Sequence, residues 1–359
     1  MYLNKKYSLY MTIITILLVA FGIFMVYSAS NVWALAKYND SFYFLKRQSL
    51  FALLGFIGFF VMTRVSSDFL YKKATWIVVI SLILLGLVLI PGLGIERNGS
   101  RSWFGLGSFA IQPSELFKIA IVVYASKYIS DNFNKTKKLI GFWKLLLLMC
   151  IGFVLIMLQP DFGTAIVILA SLILMMFVTK LPMKYFFILG ALGVSMMVAL
   201  ILIAPYRFER IRAFIDPWSD PLGSGFQIIQ SLYAIGPGAL MGNGMFASYQ
   251  KHFYLPEPQT DFIFAIIVEE FGLIGGLIVL GVFAMLFIFG FKKARQQKLE
   301  FNALLIVGLL GLILVQVIVN LGVVVSLLPV TGITLPLISY GGSSLSVCLC
   351  SLGLIVSRK

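Results

Sequence analysis

Asp261 closes the segment Leu255-Pro-Glu-Pro-Gln-Thr-Asp261 and is followed at once by the apolar run 262–268. An aspartate at the edge of an apolar environment has its charged form desolvated, which raises its pKa. That suits it to general-base work near neutral pH. The same position also fits a plain helix N-cap formed by Thr260 or Asp261, with Pro256 and Pro258 stiffening the approach. Glu257, four residues upstream, is a candidate second carboxylate. With the prolines beside it, the sequence does not say whether the two acids face each other.

Further ionisable groups sit inside apolar stretches, where they are costly and normally face a polar interior or a partner. Glu269 and Glu270 lie in the run that Asp261 opens, and a salt bridge to a loop arginine is their simplest structural role. Glu115 and Lys118, in Gln112-Pro-Ser-Glu-Leu-Phe-Lys118, are three apart and can pair on one helix face. In Glu96-Arg-Asn-Gly-Ser-Arg-Ser-Trp-Phe-Gly105, Arg97 and Arg101 are natural phosphate partners. Trp103 there could stack on a sugar or sit at headgroup level. Asn98-Gly-Ser100 is a glycosylation sequon, relevant only in a secretory eukaryotic setting. Asp161, in Gln159-Pro-Asp161, belongs to a tight turn. The single histidine, His252, and the three cysteines, all in apolar runs, offer no metal spacing.

These residues must be positioned by a membrane scaffold. The chain has 359 residues, of which 60% are hydrophobic and 12% charged, and its mean hydropathy is +1.00. Soluble domains carry about 25% charged residues, so a soluble enzyme, a disordered chain and a nucleic-acid-binding module are excluded. Ten apolar stretches approach the roughly 20 residues a spanning helix needs: 9–28, 48–63, 74–91, 113–128, 145–159, 164–180, 185–204, 262–290, 302–328 and 339–357. The first follows Lys5-Lys6 and ends at Ser28-Ala-Ser30 like a signal peptide, but the spans behind it favour an uncleaved helix. No repeat of solenoid period is present.

Ten spans place both termini on one side. That side carries eighteen Lys and Arg and the other nine, with Lys118 within a span, so the +14 net charge is a topology signal that puts the termini in the cytoplasm. Only Asp68, Asp131 and Glu300 of the acids fall there; the polar chemistry lies outside. The longest outer segment, about 205–261 between spans 7 and 8, has room for a site. Within it, apolar spacing predicts an amphipathic helix over 224–235. The glycines from Gly236 to Gly244 either let backbone approach a ligand or form an ordinary flexible loop. Pro329, Gly332, Pro336 and Gly341-Gly342 break the last hairpin, which is tolerated at membrane depth only in a cavity or inside protein.

Five segments together resemble the SEDS family (FtsW/RodA/SpoVE): Asn98–Trp103 with Gln112–Glu115, Gln159–Asp161, Asp216-Pro-Trp218 through Gln227 and Gln230-Ser231, Leu255 through Glu270, and Pro329 through Ser344. The last holds Ser339-Tyr-Gly-Gly-Ser-Ser344. The likeness spans the chain and is greatest to the FtsW and SpoVE branch; Ser326 and Ala239 depart from it conservatively. It implies one all-α transmembrane domain of ten helices, a glycosyltransferase polymerising lipid II on the outer face of a bacterial membrane for division or sporulation. It also implies a class B penicillin-binding protein as partner, with other division or sporulation membrane proteins. The family's essential aspartate falls on Asp261. Arg97, Arg101, Trp103, Arg210, Arg212, Gln227, Gln230, Ser231, Glu257 and Thr260 become substrate-binding candidates. Glu115, Lys118, Asp161, Glu269, Glu270 and Ser343 become structural or polar-cavity residues. Leaving-group charge would fall to Arg97, Arg101, Arg210, Arg212 or a divalent cation, Mg2+ or Mn2+. The rivals are a lipid II flippase and a non-catalytic scaffold that activates the penicillin-binding protein, for which Gly272-Leu-Ile-Gly-Gly276 is a candidate packing face.

Overall fold

The computed structural model describes residues 2–97, 99–106, 109–133, 138–179, 181–203 and 212–358; side chains at 2–4, 97, 106, 109 and 196–203 are outside the description. The elements, numbered here in chain order, are α1 (Tyr2–Tyr38), α2 (Tyr43–Arg64), α3 (Ser67–Leu87), β1 (Ile95–Arg97), β2 (Ser100–Leu106) and β3 (Phe109–Ile111). Then follow α4 (Pro113–Asp131), α5 (Trp143–Met157), α6 (Phe162–Val178), α7 (Met183–Ile203), α8 (Phe226–Ile235), α9 (Ile263–Arg295), α10 (Glu300–Val324) and α11 (Gly342–Ser357).

Each of the ten apolar stretches lies largely within one of these helices, and α8 is the amphipathic helix read from the outer segment. The fold is a largely helical bundle of apolar helices, as a polytopic membrane protein requires. Six described helices are long and apolar enough to cross a membrane by length and composition. α6 and α11 are shorter, and α4 carries Glu115, Lys118, Lys127 and Asp131. Helix starts follow local chemistry: Ser66 accepts from Phe69 N–H to cap α3, Asp161 accepts from Thr164 N–H to cap α6, and Pro113 opens α4 where its missing N–H is harmless.

The loop between α3 and α4 adds a small antiparallel sheet, order β1-β2-β3, to the all-helical expectation. Arg97 pairs with Ser100 in the β1–β2 register. Gly99 there has φ +76°, a conformation glycine adopts freely. The sheet is anchored by the Ser100 and Ser102 hydroxyls, which both donate to the Gln159 carbonyl. Gln159 in turn donates to Leu85 O at 3.1 Å, so strand β2, the α5–α6 corner and the end of α3 are held together.

α10 is central, packing on α9, α6, α4 and α11, while α11 lies along α2. At the end where both termini meet, buried Lys293 donates to Ser8 Oγ at 2.8 Å and to the Arg358 carbonyl at 2.6 Å. Arg358 donates to Ser67 Oγ and Val65 O, both at 2.8 Å. Four segments are thereby tied at the end opposite Asp261.

Candidate active site

Asp261 ends a stretch that is fixed along its length. Leu255 and Gln259 are buried. Tyr340 N–H donates to Gln259 O at 2.8 Å, and Asn320 Nδ2 donates to Asp261 O at 2.6 Å and to Ile333 O at 2.8 Å. Thr260 Oγ1 lies 2.7 Å from Glu257 O and 2.9 Å from Asp261 Oδ1, within donating distance of both. Asp261 is half-buried and Glu257 is exposed with φ +44°. The N-cap of α9 is Phe262, which makes no side-chain cap bond. The plain cap formed by Thr260 or Asp261 is therefore not the arrangement found.

The segment before Asp261 is pinned by α9 itself. α9 is interrupted at Gly272, with φ 68° and ψ −173°, and the loop after α8 fills the gap. Asn243 and Gly244 N–H groups donate to Glu269 and Glu270 carbonyls at 2.9 and 3.0 Å. Leu273 and Ile274 N–H groups donate to Ala239 and Leu240 carbonyls at 2.9 and 3.3 Å. Both broken helix ends thus find partners, as backbone at membrane depth must. A Cβ on Gly272 would lie 2.3 Å from Leu240 O, and one on Gly242 would lie 2.3 Å from Glu270 O. Gly238 and Gly242 therefore serve close approach to the backbone of α9, whereas Gly244 has open space around it. Gly272 likewise faces this loop and Gly276 lies against Val268 and Phe264 side chains, while Leu273 and Ile274 between them are exposed.

Two buried carboxylates reinforce the interlock. Glu269 accepts from Ser248 Oγ at 2.5 Å and from Tyr249 N–H at 2.7 Å. Glu270 accepts from Ser28 Oγ of α1 at 2.7 and 2.8 Å, and faces Lys251 Nζ at 3.3 Å. The cation facing Glu270 is thus a lysine, where an arginine was the expectation. Lys251 also donates to Phe246 O at 2.7 Å.

The other candidates divide by location. Glu115 and Lys118 form the expected buried pair at 2.7 Å. Asp161 caps α6 and accepts from Gln112 Nε2 at 2.8 Å. Arg101 pairs with Glu96 at 3.2 Å on the surface, and half-buried Trp103 stands opposite Ile95 in the sheet. Arg212 is exposed at the start of a short helical turn. Trp218 sets its ring edge-on to Tyr233 at 5.8 Å, fastening the 216–219 turn to α8. Gln227 and Gln230 are half-buried on α8; Ser231 is fully buried and donates to Val324 O at 2.8 Å, which makes it a contact between α8 and the end of α10. Ser343 is buried in the first turn of α11. The Arg97 side chain, Asn98 and Arg210 lie outside the described residues.

Hydrogen bonds from the Ser224 backbone and side chain hold Asp220 below the usual carboxylate range. Asp40 is lowered by Lys46 and the Phe42 N–H. Among the described residues no group of three or more His, Cys, Asp or Glu could hold a metal ion.

Sequence reasoning passed over Asn320, Lys251, Ser248, Gln259 and the role of Ser28. Asn320 carried a readable signal, a carboxamide near the end of an apolar helix. Asn98-Gly99 carried another, the dipeptide of a tight hairpin turn.

Fold and site together define a polytopic, largely helical membrane protein with a half-buried acid, Asp261, just before the long apolar helix α9. Residues 8–359 match the family model for the FtsW/RodA/SpoVE cell cycle proteins. The chain is 49% identical to the stage V sporulation protein E of Bacillus subtilis, covering 99% of this chain and 98% of that one. It is 39% identical to the probable peptidoglycan glycosyltransferase FtsW of Saccharophagus degradans, covering 98% and 91%. It superposes on a chain of a peptidoglycan synthase complex that coordinates polymerization and crosslinking, with TM-score 0.79 and 32% identity over 96% of this chain and 95% of that one. The rod shape determining protein RodA of Thermus thermophilus gives TM-score 0.70 and 29% identity over 97% and 94%. The chain belongs to the FtsW/RodA/SpoVE family.

Proposed function

We propose that this protein is a peptidoglycan glycosyltransferase that polymerises lipid II at the outer face of a bacterial cytoplasmic membrane. Relatives named as probable peptidoglycan glycosyltransferases support the activity. The observation that carries the site is Asp261, a half-buried carboxylate whose main chain is held by Asn320.

In this reading the Asp261 carboxylate takes the proton of the 4-hydroxyl of the acceptor N-acetylglucosamine. The oxygen attacks the anomeric carbon of the donor N-acetylmuramic acid. The bond from that carbon to undecaprenyl pyrophosphate breaks, the pyrophosphate leaves with the electron pair, and the configuration inverts. A sugar hydroxyl needs a positioned base. A pyrophosphate needs charge stabilisation more than a proton, so one carboxylate suffices where most glycosidases use two. Arg97, Arg101, Arg210 and Arg212 are the candidates for that charge. Arg101 can leave Glu96 at little cost, because exposed pairs contribute about 0–1 kcal/mol. Glu257, Thr260, Trp103, Gln227 and Gln230 are the candidates for holding the sugars.

The scaffold in this reading has ten spans, both termini cytoplasmic, and the segment 205–261 outside, in keeping with the Lys and Arg bias. A class B penicillin-binding protein crosslinks the strands as partner, in line with the likeness to a chain of a synthase complex. A flippase would need intramembrane charges free to serve a path; here Glu115, Glu269 and Glu270 are each held by fixed partners.

The test is polymerisation of purified lipid II by wild type and Asp261→Asn, with and without a class B partner. Folding of the variant is checked by its thermal transition. Strands from wild type and none from the folded variant are expected. Normal polymerisation by the variant would remove Asp261 as the base and move attention to Glu257. Failure of wild type under every partner and metal condition would refute the enzyme and call for a translocation assay in liposomes.

A further inference from the structure

We infer that Asn320 is a positioning residue for Asp261, its carboxamide fixing the main chain at the base against the irregular segment before α11. The inference rests on the reading of Asp261 as the base. α10 is apolar along almost its whole length, and Asn320 is 1% exposed near its end. An asparagine is a poor helix former, and a buried amide is costly unless its hydrogen bonds are made. Both hydrogens of Nδ2 are directed at main-chain carbonyls, Asp261 O at 2.6 Å and Ile333 O at 2.8 Å. Two carbonyl acceptors define which end of the amide faces them, since only the nitrogen can donate. Oδ1 is buried without a hydrogen-bond partner among the described residues. The side chain is therefore present for its two donors.

Each bond serves a different part of the site. Asp261 lies just before α9 and outside its hydrogen-bond ladder, so its peptide plane depends on tertiary partners. Fixing that plane fixes the main chain from which the carboxylate projects. Ile333 follows Gly332, at φ +72°, in a stretch with Leu337 at φ +67° and no regular ladder of its own. The same stretch reaches the residues before Asp261 again through Tyr340 N–H to Gln259 O at 2.8 Å. One rigid helix thus locks the base and the loop beside it into a single geometry. A misplacement of about 1 Å at a reacting group can cost on the order of a hundredfold in rate.

The experiment measures kcat and KM for lipid II polymerisation by the full chain with its class B partner, for wild type, Asp261→Asn, Asn320→Ala, Asn320→Ser and Asn320→Gln. Thermal transitions are recorded for all. The expected result for folded Asn320→Ala is a kcat lower by roughly ten- to a hundredfold with KM within about twofold. Asn320→Gln, which keeps the amide, should recover part of the loss. Wild-type kcat per folded molecule in Asn320→Ala overturns the inference, as does a loss seen only in KM. If Asn320→Ala does not fold, Asn320→Ser and Asn320→Gln decide by the same criteria. An active Asp261→Asn would instead sink the reading of the base, which is a separate outcome.

Discussion

Replacing Lys251 by methionine removes the cation that faces Glu270 while keeping most of the side-chain volume. The two side chains are 2% and 0% exposed, and Nζ lies 3.3 Å from Oε1. Glu270 would keep the Ser28 hydroxyl at 2.7 and 2.8 Å but lose its neutralising charge. The Phe246 carbonyl, 2.7 Å from the lysine nitrogen, would lose a donor as well. Removing one member of a buried pair typically costs about 3–5 kcal/mol, because the other charge is left uncompensated. Neutralising both members costs much less, since a buried pair only roughly repays its own desolvation. The assay is thermal or chemical unfolding of Lys251→Met, Glu270→Gln and the double variant in one detergent. Each kcal/mol corresponds to roughly 2 °C or somewhat more in a chain of this size. A drop of about 5–10 °C is expected for Lys251→Met, with the double variant recovering a substantial part of it. If both single variants stay within about 1 kcal/mol of wild type and their effects add, the pair is no clamp on the 246–251 loop, and the argument that buried carboxylates fix the approach to Asp261 fails.

Gly272→Ala places a Cβ 2.3 Å from Leu240 O at a backbone conformation with φ 68°. Strain at such positions is about 1–3 kcal/mol before the clash is counted, so yield and thermal transition should both fall, whereas Gly281→Ala, with open space around it, should be near neutral. Ser231→Ala should lower stability by about 1 kcal/mol through the lost bond to Val324 O, with KM for lipid II unchanged; a raised KM would restore Ser231 to the substrate pocket. Glu96→Ala should change stability by less than about 1 kcal/mol, while Arg101→Ala should raise KM if the arginine serves the pyrophosphate. The lowered pKa of Asp220 means that its carboxylate steadies the 220–224 turn at pH values above the ordinary Asp range. That contribution is lost as pH falls through the folded value, from about pH 4 downward. The protection factor of the Ser224 amide, which is its exchange corrected for the intrinsic pH-dependent rate, should therefore be flat from neutrality to about pH 4 and fall below it, and Asp220→Asn should remove that step.

Much of the scaffold was legible because its cause is local. An apolar run long enough to cover the hydrocarbon core reports a helix without knowledge of its neighbours, and 226–235 announced itself by spacing alone. Glu115 and Lys118 were readable as a pair because one helix turn brings them together. The small sheet was missed because apolar counting is blind to a short hairpin, although Asn98-Gly99 marked its turn. The cap reading of Thr260 and Asp261 gave way because the N-cap of α9 falls on Phe262.

The amino-acid order by itself determined the membrane class, the approximate places of the apolar helices and the acid at position 261 as a base candidate. Only the tertiary structure decided what that acid rests on. Ser28 meets Glu270 across 242 residues of chain, Gly242 meets Gly272 at a broken helix, and Asn320 joins Asp261 to Ile333. Hydropathy and spacing record whether a residue prefers lipid, water or interior, which each segment expresses alone. The partner of a buried polar group is set by which helices pack together, and that is a property of the whole bundle.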